Sequence, residues 1–157
     1  MSSSGSNRIP LQLIPFTFKL PEGFIVAKEE LEPTQYTVLI RLPRTFRDKV
    51  TMTLSQIEIV VIQHTEDTIT DEEQLRSTTE ADLLARDATI MEDSIGLRHG
   101  VKSHECLYKQ DRLYGYLVWF VLHGNAFIVQ WYSTDGEVFR QYRPKVDEFI
   151  QSLRFND

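Results

Sequence analysis

Only one cysteine, Cys106, occurs among the 157 residues, so no disulfide can form within the chain. A lone thiol fits a reducing compartment. Glycine and proline are sparse, at 7 and 6, which excludes collagen-like and low-complexity chains. Long apolar runs are missing. The longest, residues 117–122, falls far short of the ~20 residues of a membrane-spanning helix. Positive charge is in deficit: 17 basic residues stand against 23 acidic ones, a net charge of −6. That balance argues against a basic field for nucleic acid. Residues 1–7 (MSSSGSN) lack the basic start and apolar stretch of a signal peptide. The expectation is a flexible polar tail over 1–8 and one domain over 9–157. The expected location is cytoplasmic, or periplasmic if an export signal has been removed.

What is present is globular: 41% of residues are hydrophobic and 11% aromatic. Phe16, Phe18 and Leu20 alternate with Thr17 and Lys19, a strand signature ended by the turn Pro21-Glu22-Gly23. Residues 34–42 (TQYTVLIRL) are β-branched and aromatic and predict a second strand. Residues 50–64 alternate with a frame shift between Leu54 and Ile57, as in a long strand with a bulge. Thr70 and Glu73 read as a capping box opening a helix that ends near Asp87. A loop containing Gly96 and Gly100 follows. Strands are then predicted over 101–109, 113–122 and 126–132, the last two forming a hairpin about His123-Gly124-Asn125. Thr134 and Glu137 read as a second capping box. The helix behind it is amphipathic, with Phe139, Tyr142, Val146, Phe149, Ile150 and Leu153 on one stripe. Pro144 predicts a kink or break in it.

Catalytic patterns are hard to find. No glycine-rich phosphate loop, nucleophile elbow or His-Glu-x-x-His occurs. His64, His99, His104 and His123 are scattered and read as surface or strand-end groups, not metal ligands. His104 and Cys106 would share a strand face, but no third group is in view to orient such a dyad. Cys106 therefore reads as a small core residue. Of the acids Glu66, Asp67, Asp71, Glu72 and Glu73, the last three are explained by the first turn of a helix, where the dipole favours negative charge, and the cluster lacks the glycine bend and ligand spacing of a calcium loop. Arg41, Arg44, Arg47 and Lys49 make a basic stretch. It reads as a solvated connection between strands, with docking of an acidic partner as the alternative. Phe46 in its middle is either tucked under the loop or offered to a partner.

The hairpin 113–132 is apolar or aromatic on both faces. An antiparallel sheet with one wet face would alternate hydrophobic and polar residues. This sheet must therefore be covered on both sides. Either the chain covers both faces itself, or a partner covers the one carrying Tyr114, Tyr116, Phe120 and Tyr132.

Two apolar patterns frame the chain. Near the start stands Phe18-x-Leu20-Pro21-x-Gly23-Phe24. At the end stand Phe139-x-x-Tyr142 and Val146-x-x-Phe149-Ile150-x-Ser152-Leu153-x-Phe155. In this order the sequence resembles the PsbP-like and DcrB-like proteins. The resemblance implies an α+β domain: an antiparallel sheet of about six strands with helices packed on it, and no catalytic residues or cofactor. Its nearest functional branch is the effector-associated chaperones of type VI secretion, which hold apolar helices of an effector against the sheet.

The expected function is thus a non-catalytic binding protein, a chaperone or adaptor that covers an apolar segment of a protein partner. A secreted effector is one such partner, and a second copy of the chain is another. Tyr114, Tyr116, Phe120 and Tyr132 would make the contact, with Phe46 at its rim. No nucleic acid and no direct membrane insertion are expected. The alternatives are an immunity-type toxin inhibitor acting through the acids around Glu66–Glu73, and a small-ligand-binding domain or enzyme with a pocket between sheet and helix.

Overall fold

Turns set the strand pairing. His99-Gly100 and His123-Gly124 both have positive φ at each residue, the conformation of a two-residue hairpin loop that matches the twist of the strands it joins. The computed structural model describes residues 16–155. The expected tail over 1–8 and the first residues of the predicted domain lie outside that range.

In chain order the elements are β1 (Phe16–Thr17), β2 (Ile25–Glu32), β3 (Gln35–Arg41), α1 (Phe46–Thr51), β4 (Ser55–Gln63), α2 (Glu72–Ala85), β5 (Thr89–Arg98), β6 (Val101–Gln110), β7 (Leu113–Leu122), β8 (Asn125–Ser133), α3 (Gly136–Ser152) and β9 (Arg154–Phe155). Seven strands form one antiparallel sheet in the order β2-β3-β4-β8-β7-β6-β5, and β1 pairs with β9 in a separate two-stranded ribbon. This is the expected α+β architecture, with one strand more in the main sheet than the sequence suggested.

The differences are informative. β2 and β5 are missing from the sequence reading, and both are edge strands whose residues are mostly exposed. An edge strand in contact with water carries no apolar alternation to recognise. Residues 46–51 are helical, not the start of a long strand. Thr45 caps the Asp48 amide and the Asp48 carboxylate returns to the Thr45 amide. The frame shift near Leu54 is the handover from α1 to β4, not a bulge. Both long helices start one residue late, because Asp71 and Asp135, not Thr70 and Thr134, accept from the first-turn amides. An aspartate caps at least as well as a threonine and adds negative charge at the helix start. Thr134 instead accepts the Leu54 amide at 2.9 Å. α3 continues through Pro144.

Each long helix takes one face of the hairpin. α3 packs on β8, β7 and β4, α2 on β6, β5 and β7. Under α3 lie Tyr116, Val118, Phe120, Phe127, Val129 and Trp131, together with Phe16, Phe18 and Phe24 from the N-terminal segment. α2 turns Leu75 and Leu83 inward onto Cys106, Leu117, Trp119 and Val121. Both faces are therefore covered by the chain itself, and the partner-covered face is not needed to keep the hairpin dry. Among the described residues no helix is long and apolar enough to cross a membrane.

α3 is a core element. Phe149 is buried and its ring meets Phe18 edge-on at 6.1 Å. Phe149→Ala should destabilise the protein by roughly 3–5 kcal/mol, read as a large fall in the thermal midpoint. A melt within a few degrees of wild type would mean that α3 does not close this core.

Candidate functional site

The two helices are staggered. α2 sits over the β5–β7 half of one face, and α3 over the β7–β4 half of the other. On the α3 side, the surface of β5 and β6 is therefore left beside the helix as a cleft. Its volume is about 690 Å³, and Met91, Leu107, Tyr114 and Tyr116 line it along with Arg140 and Arg143 of α3.

At its floor is a buried arginine. Arg98, the last residue of β5, is 6% exposed. Its guanidinium grips Glu105 with two hydrogen bonds, at 2.8 and 3.1 Å. It also donates to the Tyr116 hydroxyl at 2.9 Å, to Gln151 at 2.8 Å and to Asp147. Ser103 donates to Glu105 at 2.8 Å. Burial disfavours the charge on Arg98, but Glu105 and Asp147 outweigh it and hold the guanidinium charged. Burial likewise opposes the charge on Glu105. Hydrogen bonds from Arg98 and Ser103 prevail and hold its carboxyl below the usual range. Burial and the neighbouring Glu105 charge push the Tyr116 hydroxyl well above its ordinary value, so it stays a phenol. Above it Arg143 stacks on the Tyr116 ring at 4.5 Å. The network joins a sheet hairpin to α3, and its charges are spent on one another.

The residues expected from the sequence separate. Tyr114 and Tyr116 both line the cleft. Tyr116, however, is only 4% exposed, so it is a floor and not an open contact face. Phe120 is core, stacked on Phe127 at 5.2 Å. Tyr132 belongs to the opposite face, because it pairs with Gly115 and not with Tyr114 or Tyr116. There it joins a polar strip at the end of α2, bonded by Gln56 and next to Glu58 and Gln130, themselves joined at 2.6 Å. Phe46 lies on α1, exposed, and does not line this cleft. The expectation of one tyrosine-rich face therefore fails on strand parity and on coverage by α3.

Arg98, Glu105 and Asp147 were not foreseen. The missing signal was the His99-Gly100 turn, which has the composition of the His123-Gly124 turn. A hairpin about it places Arg98 and Glu105 on one face. The register supports this: Arg98 pairs with Val101, and Glu105 lies four residues further along the same strand. Asp147 could not be read at all, since it depends on where α3 lies.

On the α2 side the fold gathers Glu80, Asp93 and His104, with ligand atoms all within 4.8 Å of one another. Among the described residues these could hold a metal, and they come from three successive elements, α2, β5 and β6. Arg76 already binds Asp93 at 2.5 Å, so a cation would have to displace it. Burial lowers the proton affinity of His104 and keeps the ring neutral. The Cys106 sulfur lies 3.5 Å from its Nε2. Burial pushes the Cys106 thiol up to about 12, so this pair offers no thiolate nucleophile.

Two outcomes follow. Glu105→Gln leaves the Arg98 charge buried without its main partner and should cost about 3–5 kcal/mol. Because the folded-state pKa of Glu105 lies below its ordinary value of 4.5, its contribution is complete above that pH and is lost as pH falls through the folded value. The stability gap between wild type and Glu105→Gln should therefore narrow in acid, which denaturant titrations at a series of pH values will show. Cys106 should resist iodoacetamide in the native state and react once the chain is unfolded, as followed by mass spectrometry.

No family model matches the chain, and no curated protein does. Among solved structures the chain is similar to the cyanobacterial PsbP (CyanoP) from Synechocystis sp. PCC 6803, at 12% identity and a TM-score of 0.58. The match covers 99% of this chain and 90% of that one. The fold of this chain is PsbP-like.

Proposed function

We propose that the protein is a non-catalytic binding module, and that the cleft beside α3 receives an extended segment of a protein partner. The observation that carries this reading is the cleft's position against an unpaired sheet edge. β5 ends the sheet, so its outer backbone groups can pair with an added strand, while alternate side chains of that strand reach the cleft. The walls offer Met91, Leu107 and Tyr114 for an apolar side chain, and Arg140 and Arg143 stand beside them for a carboxylate. Arg98, Glu105 and Asp147 are tied to one another, which suits a scaffold better than acid–base chemistry. A chaperone of the effector-associated kind would lay its client on the sheet face. Here α3 occupies that face, so a client segment would use the cleft and the β5 edge. A reducing, cytoplasmic setting would keep Cys106 a thiol.

A second reading has one observation in its favour. The cleft's volume of about 690 Å³ falls within the range of small-molecule sites.

The test replaces Met91, which is exposed, with the photo-cross-linker p-benzoylphenylalanine in cells of the source organism. The expected result is a light-dependent adduct to one polypeptide, mapping to an apolar segment that carries a carboxylate and reduced by Arg140→Glu. Absence of any polypeptide adduct, with a small molecule retained in native mass spectrometry, would overturn the protein-partner reading in favour of the second.

A further inference from the structure

The tip formed by α1 has no part in the cleft, yet it carries the densest exposed apolar group among the described residues. Phe46, Val50 and Met52 are 83%, 66% and 74% exposed. Phe46 and Val50 stand one helical turn apart and so share a side of α1. Met52 follows in a left-handed conformation that ends the helix. Single exposed apolar side chains are ordinary, but three within seven residues, on a projecting turn, are not.

The charges around them are equally uneven. Arg44, Arg47 and Lys49 belong to the tip, in a chain whose net charge is −6, whereas Arg41 lies on β3 opposite Gln56. Asp48 is the sole acid between residues 41 and 54, and its carboxylate is folded back onto the Thr45 amide as part of the helix cap. Arg44 donates from Nε to the Thr53 carbonyl at 3.0 Å, which ties the two ends of the turn together. Arg47 and Lys49 are left exposed beside the apolar side chains. The tip is thus a braced apolar point flanked by two exposed cations.

We infer that this tip docks on an anionic lipid surface, with Phe46, Val50 and Met52 seated among the headgroups and the cations paired with lipid phosphates and carboxylates. Charge complementarity selects the occupant. An apolar point flanked by exposed Arg47 and Lys49 matches an interface that is apolar below and negative above. Shape argues the same way. The point is convex and offers a few side chains, whereas a stable protein interface takes about 800 Å² from each partner. A bilayer needs only shallow anchors and a few cations, each raising partition about fivefold near an anionic surface. The contact is interfacial, so it is compatible with the absence of an inserted segment that the sequence suggests. It does not depend on the cleft reading.

The experiment uses the full chain and vesicles of phosphatidylcholine with or without phosphatidylserine. Sedimentation should show binding to the anionic vesicles that weakens as salt is raised. Phe46→Ser with Val50→Ser should lower that partition by about tenfold or more, and Arg47→Glu with Lys49→Glu should remove the preference for anionic lipid. All four positions are exposed, so the variants should keep the wild-type melting midpoint. Phe46→Trp gives an independent readout. Trp119 and Trp131 are buried, so a shift of emission to shorter wavelength on adding vesicles reports the tip. Equal binding to neutral and anionic vesicles, an unmoved Phe46→Trp spectrum, or vesicle binding that survives Phe46→Ser/Val50→Ser would each overturn the inference. So would an acidic protein that requires Phe46 while vesicles are ignored.

Discussion

The structure rests on a hairpin that cannot tolerate water on either side. β7 and β8 bring Phe120, Phe127 and Trp131 to one face and Leu117, Trp119 and Val121 to the other. Burial of apolar area dominates folding, so each face needs its own cover. The chain supplies one long helix for each, plus the aromatic N-terminal segment under α3. Trp131 shows how closely that side is closed. It stacks on Phe139 and donates its indole N–H to the Phe139 carbonyl at 3.0 Å, so the large ring is buried without a stranded donor. On the other face Gly115 leaves room for Tyr108, whose ring would collide with any β-carbon there.

Two helices cannot cover two faces of seven strands completely. Their stagger leaves two uncovered quarters, and the sequence treats them differently. On the α2 side, the β4 and β8 quarter is polar, with Gln56, Glu58, Gln130 and Tyr132 in register across the strands. Gln56 and Gln130 are buried there, and the polar groups of the strip bond one another and Arg86 at the end of α2. On the α3 side, the β5 and β6 quarter keeps Leu107 and Met91, and beneath them a buried arginine with its carboxylates. A buried ion pair of this sort contributes little net stability compared with an apolar substitute, but breaking it is costly. Its effect is to pin the β5–β6 hairpin to α3 through Asp147 and Gln151, which holds the cleft at a defined width.

The charge of the molecule is divided in a comparable way. Acids predominate overall, and several have structural uses: Asp71 and Asp135 cap helices, Glu72 pairs with Lys102, and Asp93 pairs with Arg76. Around α1 the cations are in excess, and Arg47 and Lys49 stand exposed beside Phe46, Val50 and Met52. A net charge therefore says little about which surfaces attract one another, since contact is decided within a Debye length of about 8–10 Å.

Much of the fold was legible because the relevant physics is local. The continuous apolar run of β7, the X-Gly turn before β8 and the apolar stripe of α3 each follow from neighbours within a few residues. They led to the antiparallel hairpin and the final helix, and the apolar patterns at the two ends of the chain carried the PsbP-like resemblance. The edge strands β2 and β5 were not legible, because what holds them is hydrogen bonding to β3 and β6 and not burial of their own side chains. The cap shift from threonine to aspartate was also invisible, since both residues satisfy the same pattern. The site was decided in three dimensions. Strand parity sends Tyr132 to the face opposite Tyr114 and Tyr116, the path of α3 turns Tyr116 into a floor, and Asp147 meets Arg98 only because the helix crosses at that point. Local sequence states which residues prefer to leave water. Which partner removes them from it is settled by packing of segments distant in the chain, and that is where the coverage of the hairpin and the shape of the cleft were determined.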